Sequence, residues 1–342
     1  MDPIEVLLEV ADILEPEAAA KIQAALAKIE NVRLEEAIRK ALRTGNRKAL
    51  LEYLHQAMGP VWKQLQVDLT ELSVRAITLV GERMAPSFGL SFLFNNPLAT
   101  AWAANNTGLL IGNISAESLT VVKDTIDELF RPQGVGQGLD VKRAGRRIRE
   151  SIGLLPAHDT AVQNYRRTLE SQNIAPAKVD ELVDIYRWKL KGYRGQMIAR
   201  TETIRASNMG LYMVWQQRIE KRGIDPATVI VKWTVTRDDR LCQYCAPMDG
   251  KPVPFGTMFT SDTKGFPPGY DPSDKRGPDK RLKPDPMGPS RDKHGTFAVK
   301  QSGSLRGIKP TEVLTPPLHP QCRCGLVAVW PPLVRLNPDD RA

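Results

Sequence analysis

Apolar residues recur at intervals of three and four over most of the first 130 residues, which is the period of amphipathic helices. Pro16 and Gly45 interrupt this pattern as breakers, and Pro60 suits the first turn of a helix that continues to about Met84. The stretch Ser87–Asn96 is rich in Phe, Gly and Asn, so it is expected to be a loop or a short extended element. The predicted helices are Ile4–Leu14, Glu17–Glu30, Leu34–Leu42, Arg47–Met58, the helix opened by Pro60, Leu98–Ala104 and Ala116–Phe130.

A much longer helical pattern runs from Pro176 to about Arg222. Pro176 can begin it, an apolar stripe follows from Val179, and Gly223 can end it. Glycines inside the pattern, such as Gly210, indicate bends or close packing.

Two stretches near the C-terminal end have the pattern of strands. From Val229 to Thr236 alternate residues are apolar, which predicts a half-buried strand. Leu326–Trp330 is a short apolar run that ends at two prolines, as expected for a strand stopped by residues without a backbone donor. If these strands pair antiparallel, the exit of the first lies beside the entrance of the second.

All the cysteines of the chain lie next to those two strand ends. Cys242 and Cys245 form a CxxC motif after the first strand, and His319, Cys322 and Cys324 form an HPQCRC motif before the second. Thiolates and an imidazole on tight turns are the donors that a tetrahedral structural zinc site uses. The antiparallel pairing would bring both motifs to one end of the sheet, so we predict a bound Zn²⁺.

Five donors compete for four positions. We favour Cys242, Cys245, His319 and Cys322, with Cys324 as the substitute, since Cys322 and Cys324 alternate along the chain and point to the same side. Free buried thiols and disulfides are the alternative fates of these cysteines. Oxidation is not favoured, because the chain begins with an acidic stretch that lacks the basic region of a secretory signal. A cytosolic site of synthesis is therefore expected.

These elements predict an α+β protein that is mainly helical, with one long helix and then a small zinc-stabilised antiparallel β module. The expected regions are helical 1–114, helical 115–223 with the long helix, and β module 224–342. Residues 261–310 are crowded with Gly, Pro and charged residues and show little apolar periodicity, which indicates an extended insertion. No apolar run is long enough to span a bilayer, so no membrane contact is predicted.

The chain of 342 residues carries a formal charge of +9, which suits an anionic partner such as DNA but is also compatible with ordinary solubility. Two basic stretches are candidates for phosphate contact without sequence readout, a solvated helix face or a surface loop being their alternatives. Their residues are Lys142, Arg143, Arg146, Arg147 and Arg149 in the first stretch, and Lys275, Arg276, Lys280 and Arg281 in the second.

Inside the long helix the sequence reads ARTE from Ala199 and RASN from Arg205. Together with Trp233, the CxxC motif, Asp249-Gly250 and the HPQCRC motif, this order of elements resembles the bacteriophage head morphogenesis family, which includes phage Mu F-like minor head proteins. The resemblance covers residues 115 to 330. The long stretch between the two cysteine motifs departs from the compact pattern of that family.

The resemblance implies a minor structural protein of a tailed phage head, present in few copies per virion. Its partners would be portal and head proteins and packaged double-stranded DNA, its place the portal region or head interior, and its role head morphogenesis, genome packaging or DNA delivery. It also implies metal binding by the C-terminal module and an ion-pair role for Arg200 and Glu202, without catalysis.

A zinc-dependent nucleic-acid-processing enzyme is the competing hypothesis. Such an enzyme needs a metal-bound water and a positioned carboxylate, and the HxE and PCxxC motifs of zinc deaminases do not occur in this order here. A site filled by four protein ligands would leave no position for water. We therefore predict a protein that is not an enzyme.

Overall fold

The structure is a computed structural model, which describes residues 2–30, 34–92, 97–107, 123, 126, 141–236, 245–260, 312–317 and 322–331. Helices dominate these ranges: α1 Pro3–Glu30, α2 Leu34–Thr44, α3 Arg47–Met84, α4 Pro97–Asn106, α5 Val141–Ser151, α6 Pro156–Ser171 and α7 Pro176–Arg222. A 3-10 turn, Ala85–Phe88, follows α3. The mainly helical character is confirmed, whereas the predicted helix Ala116–Phe130 and the insertion 261–310 lie outside the described residues, apart from residues 123 and 126.

Pro16 and Pro60 do not delimit helices, which corrects the prediction. Helix α1 continues through Pro16, and α3 continues through Pro60. A proline inside a helix costs about 3 kcal/mol, but burying one large apolar side chain contributes about 1.5–3 kcal/mol. Both helices bury a long apolar stripe on either side of the proline, including Leu14 and Ile22 in α1. Packing of these stripes outweighs the local penalty.

Helix α7 packs against both α1 and α3 and has the predicted bounds. Gly223 ends it with a left-handed φ of 61°, a conformation that glycine adopts without strain. At Gly210 an added Cβ would lie 2.7 Å from the carbonyl oxygen of Ile77 in α3. The glycine therefore permits a close approach of α3 and α7, so of the two predicted roles, a bend or close packing, Gly210 has the second.

The predicted β module is a three-stranded antiparallel sheet formed by β1 Ile230–Thr234, β2 Pro252–Pro254 and β5 Gly325–Val329, with the spatial order β2-β1-β5. Strand β1 pairs antiparallel with β5, and Thr234 at the end of β1 lies opposite Gly325 at the start of β5. This pairing confirms the expected arrangement of the two strands. A separate pair, β3 Phe259–Thr260 and β4 Glu312–Val313, lies beyond β2 along the chain.

One hydrophobic core includes side chains from α1, α3, α7 and the sheet, such as Leu14, Leu69, Trp215 and Trp233. A smaller core lies between α6 and the first half of α7. Because the main core takes residues from all three predicted regions, the boundaries at 114 and 223 do not separate independent cores in the described part. None of the described helices has the length and apolar character needed to cross a membrane.

Candidate metal centre

The two cysteine motifs meet at one end of the sheet. Cys245 directly precedes a short 3-10 turn, Ala246–Met248, and Cys322 and Cys324 lie directly before β5. Because β1 and β5 run in opposite directions, the chain leaving β1 and the chain entering β5 are neighbours. On the edge of β1 that faces away from β5, the amide of Trp233 donates to the carbonyl oxygen of Lys251, and the amide of Gly250 donates to that of Trp233. These hydrogen bonds fold the chain after Cys245 back along β1.

The Sγ atoms of Cys245, Cys322 and Cys324 all lie within 4.8 Å of one another. Those of Cys245 and Cys322 are 3.5 Å apart, far longer than the S–S bond of about 2.05 Å in a disulfide. Tetrahedral zinc with Zn–S bonds of about 2.3 Å requires S–S separations of about 3.8 Å. All three residues are buried, at 2%, 2% and 4% exposure. Three converging buried thiols of this spacing can hold a metal ion.

The electrostatics of the cluster favour a cation. A hydrogen bond with Cys245 lowers the pKa of the Cys324 thiol, but interaction with Cys322 and burial outweigh it, so the pKa is raised well above its ordinary value. The Trp233 side chain, the last of the causes, also acts to lower this pKa. Three thiolates this close together would repel one another strongly. A bound metal ion offsets that repulsion and deprotonates the thiols that bind it.

Side chains from other elements hold the backbone of the CRC turn. Asn208 of α7, fully buried, donates from Nδ2 to the carbonyl oxygen of Cys324 at 3.1 Å and to that of Ile204 at 3.0 Å. Thr236 donates from its hydroxyl to the carbonyl oxygen of Arg323 at 2.8 Å. The turn that carries Cys322 and Cys324 is therefore fixed both to α7 and to the chain after β1.

Cys324, which the sequence ranked as the substitute ligand, belongs to the cluster. Cys242 and His319 lie outside the described residues, so the prediction that they bind the metal stays a prediction. With three thiols brought together, a tetrahedral site needs one further donor. Cys242 and His319 are the two remaining candidates for that position.

The basic helix is largely committed to ion pairs within the protein. Arg147 makes a bidentate pair with Asp159 at 2.6 Å and 2.6 Å, and Arg146 binds Asp180 at 2.5 Å. Arg149 contacts Glu35 of α2 at 3.2 Å. These arginines join α5 to α2, α6 and α7, an arrangement that a search for charge runs does not reveal. The side chains of Lys142 and Arg143, and the whole stretch Lys275–Arg281, lie outside the described part of the chain.

Arg200 and Glu202 make ion pairs with different partners. Arg200 bridges α7 to α1 through Glu15 at 2.8 Å, with Asp12 at 3.7 Å. Glu202, only 4% exposed, pairs with Arg205 one turn further along the same helix at 3.2 Å. The Arg200 pair therefore connects two segments, while the described Glu202 pair lies within α7.

Sequence reasoning missed a row of buried cations on α7. Arg187, Lys191 and Arg194 are spaced by four and three residues and are 7%, 0% and 2% exposed. Arg187 and Lys191 both bind Glu30 at the end of α1, and Arg194 donates to the carbonyl oxygen of Gly153. Burial lowers the pKa of Lys191 to about 8, although Glu30 acts to raise it. Long basic side chains are usually exposed, so their presence in the sequence does not indicate burial. The helical spacing of these three cations is the signal that could have identified them.

Comparison of the chain with protein-family models, with curated proteins and with solved structures gave no match.

Proposed function

We propose that this protein is a minor structural component of a tailed-phage head, located at the portal or in the head interior and acting in head morphogenesis, genome packaging or DNA delivery. The proposal rests on the resemblance of the ARTE–RASN helix and the two cysteine motifs, in their order, to the head morphogenesis family. Low copy number, and portal and head proteins as partners, belong to the same proposal.

One contact carries the proposal beyond a likeness of separate motifs. Asn208, the last residue of the RASN segment, donates a hydrogen bond to Cys324 of the HPQCRC motif across 116 positions of sequence. Trp233, a third element of the resemblance, is fully buried in the core that also contains Cys245, Cys322 and Cys324. Elements that look unrelated along the chain are thus parts of one packed unit, which supports treating them as a single family signature.

We further propose that the metal is Zn²⁺ and that its role is structural. Thiolate-rich sites suit zinc, and an ion held by four protein ligands crosslinks its turns without an open position for water or substrate. Here the ion would tie the chain after β1 to the chain before β5. The near-complete burial of the three cysteines supports this role over a zinc-dependent nucleic-acid-processing enzyme, whose metal must be reached by substrate.

Mass spectrometry of purified virions tests the proposed role. The expected result is a constant, small number of copies per particle, retained after nuclease treatment and washing at high salt. A phage-encoded protein that is not incorporated serves as the contamination control. Abundant expression with no copies in the virion would refute the head role. DNA cleavage or base modification by the purified zinc protein, lost in Cys322→Ser, would support the enzyme instead.

A further inference from the structure

The connection between α2 and α3, which we call the basic elbow, presents five exposed cations. The stretch from Ala37 to Leu51 contains no acidic residue. Gly45, with a φ of 63°, turns the chain between the two helices, so cations from both helices lie close to the same turn. All five basic side chains of the elbow belong to exposed residues: Arg39, Lys40, Arg43, Arg47 and Lys48.

The elbow differs from the basic helix α5 in how its charge is used. In α5, Arg146, Arg147 and Arg149 bind acidic residues of three other elements at 3.2 Å or less. At the elbow Lys48 pairs with Glu52 at 3.7 Å, with side chains that are 87% and 58% exposed. A contact of this kind is weak and easily exchanged. Because all five residues are exposed, their charged ends are within reach of an external anion.

The turn of the elbow is open to solvent. An open depression of about 560 Å³ lies at the turn, lined by Thr44, Gly45, Asn46, Arg47, Lys48 and Leu51. Asn46 caps α3 by accepting a hydrogen bond from the amide of Ala49 at 2.9 Å. That amide is therefore already bonded, and the positive charge that an anion can reach is that of the basic side chains. Gly145 of α5 lies beside Glu35 and Ile38 of α2, and Arg149 reaches Glu35. Helix α5 thus packs against the face of α2 that contains Glu35 and Ile38.

We propose that the basic elbow binds the phosphate backbone of double-stranded DNA without reading its sequence. Protein interfaces need several buried apolar anchors, and the exposed large apolar residue nearest to the elbow in sequence is the single Tyr53, beyond its last cation. Single-stranded nucleic acid is bound largely by successive bases that stack on aromatic side chains, whereas Leu34–Glu52 contains no aromatic residue and only Tyr53 follows it directly. The exposed cations of the elbow are therefore best suited to bind the phosphates of a duplex. The inference goes beyond the proposed head role and does not require it.

Counterion release gives this proposal a measurable signature. Each neutralised phosphate contributes about −0.9 to the slope of log affinity against log salt, so five contacts give a slope of about −4.5. Between about 50 and 200 mM salt the affinity should then fall ~500-fold. Binding should be equal for duplexes of unrelated sequence.

Fluorescence anisotropy with a labelled duplex of arbitrary sequence, titrated with the full chain at several salt concentrations, tests the proposal. The elbow variant replaces Arg39, Lys40, Arg43, Arg47 and Lys48 with Gln. A matched control replaces five exposed cations elsewhere with Gln: Lys63, Arg167, Lys178, Lys189 and Arg222. Both variants lower the formal charge of +9 by five. Circular dichroism and metal content establish that each variant is folded, and the single variants Arg43→Gln and Lys48→Gln serve if the fivefold elbow variant is not.

The elbow variant is expected to lose most of the salt-dependent affinity, while the control retains it. Each single variant should reduce the steepness of the salt slope by about 0.9. Equal losses in both fivefold variants would reduce the effect to overall charge and overturn the proposal, as would an absence of duplex binding at low salt. Equally strong competition by an acidic polypeptide of the same charge would identify a protein partner instead. Failure here leaves the head role standing, because that role is decided by the composition of virions.

Discussion

Asn208 provides a direct test of how the long helix supports the metal centre. In Asn208→Ala the carbonyl oxygen of Cys324, a residue only 4% exposed, loses its hydrogen bond from α7. Leaving a buried acceptor without a partner costs about 1–3 kcal/mol, which corresponds to a factor of about 5–150 in an equilibrium constant. If that cost falls on the metal-bound form, zinc affinity should fall by a similar factor. Loss of residues that support metal ligands typically weakens binding by about 10–100-fold, which agrees with this range.

Competition with a chromophoric chelator, monitored with purified Asn208→Ala, measures this loss. Asn105→Ala is the matched control, because Asn105 of α4 also donates to the carbonyl oxygen four residues earlier, at 2.9 Å, but is exposed and remote in sequence from the cysteines. Asn208→Leu separates two effects, since it restores buried apolar volume but not the donor. It should regain part of the lost stability and none of the lost zinc affinity.

Unchanged zinc affinity in both Asn208 variants would refute the idea that α7 positions the CRC turn for the metal. Equal weakening in Asn105→Ala would show a general effect of asparagine removal rather than a specific one. Recovery of zinc affinity in Asn208→Leu would mean that packing, rather than the hydrogen bond, supports the turn.

The remaining predictions concern the metal and two ion pairs. Elemental analysis of protein purified without added metal should give about one zinc per chain, and chelation should unfold the β module; absence of zinc together with disulfide-bonded cysteines would contradict the site. Glu30→Gln should destabilise the fold by about 3–5 kcal/mol in urea unfolding, because it leaves Lys191 buried without its carboxylate, whereas Glu30→Leu with Lys191→Met should cost much less. In the unaltered protein, the free-energy penalty for burying charged Lys191 is fully present below pH 8 and is relieved as the pH rises toward 10.5. The free energy of unfolding should therefore increase between these two pH values. A flat profile would exclude the lowered pKa. A double-mutant cycle on Arg200 and Glu15, measured by thermal unfolding, should give a coupling of about 0.5–1 kcal/mol, and zero coupling would mean that the pair is merely solvated.

Local signals in the sequence account for α7 and for the sheet. Pro176 and Gly223 mark the ends of α7 through backbone conformations that depend on few neighbours. The alternation around Trp233 and the apolar run after Cys324 predict two strands, and antiparallel pairing then brings Cys245 close to Cys322. Three of the five candidate ligands could therefore be placed together before the fold was known.

Features that depend on distant partners were not predictable in this way. Pro16 lies inside α1 because side chains from α3, α7 and the sheet complete the core around that helix, and nothing near Pro16 signals them. The arginines of α5 have the pattern of a free basic surface, yet Asp159 and Asp180, from other helices, neutralise two of them. The basic elbow was overlooked for the opposite reason, since its cations are divided between two helices and no single run is dense.

The packing of α1 against β5 has a consequence for the order of events during synthesis. An added Cβ at Gly325 would lie 3.0 Å from Leu7 and 3.1 Å from Ile4, so β5 rests directly on the first turns of α1. At about 5–20 residues per second, the ribosome needs about 15–60 s to make the chain between these two elements. Over that interval the apolar side chains of α1 that β5 covers must remain exposed or be shielded by a chaperone. A polypeptide halted before β5 should therefore be recovered in aggregates or bound to chaperones, even though all of its long helices have been made.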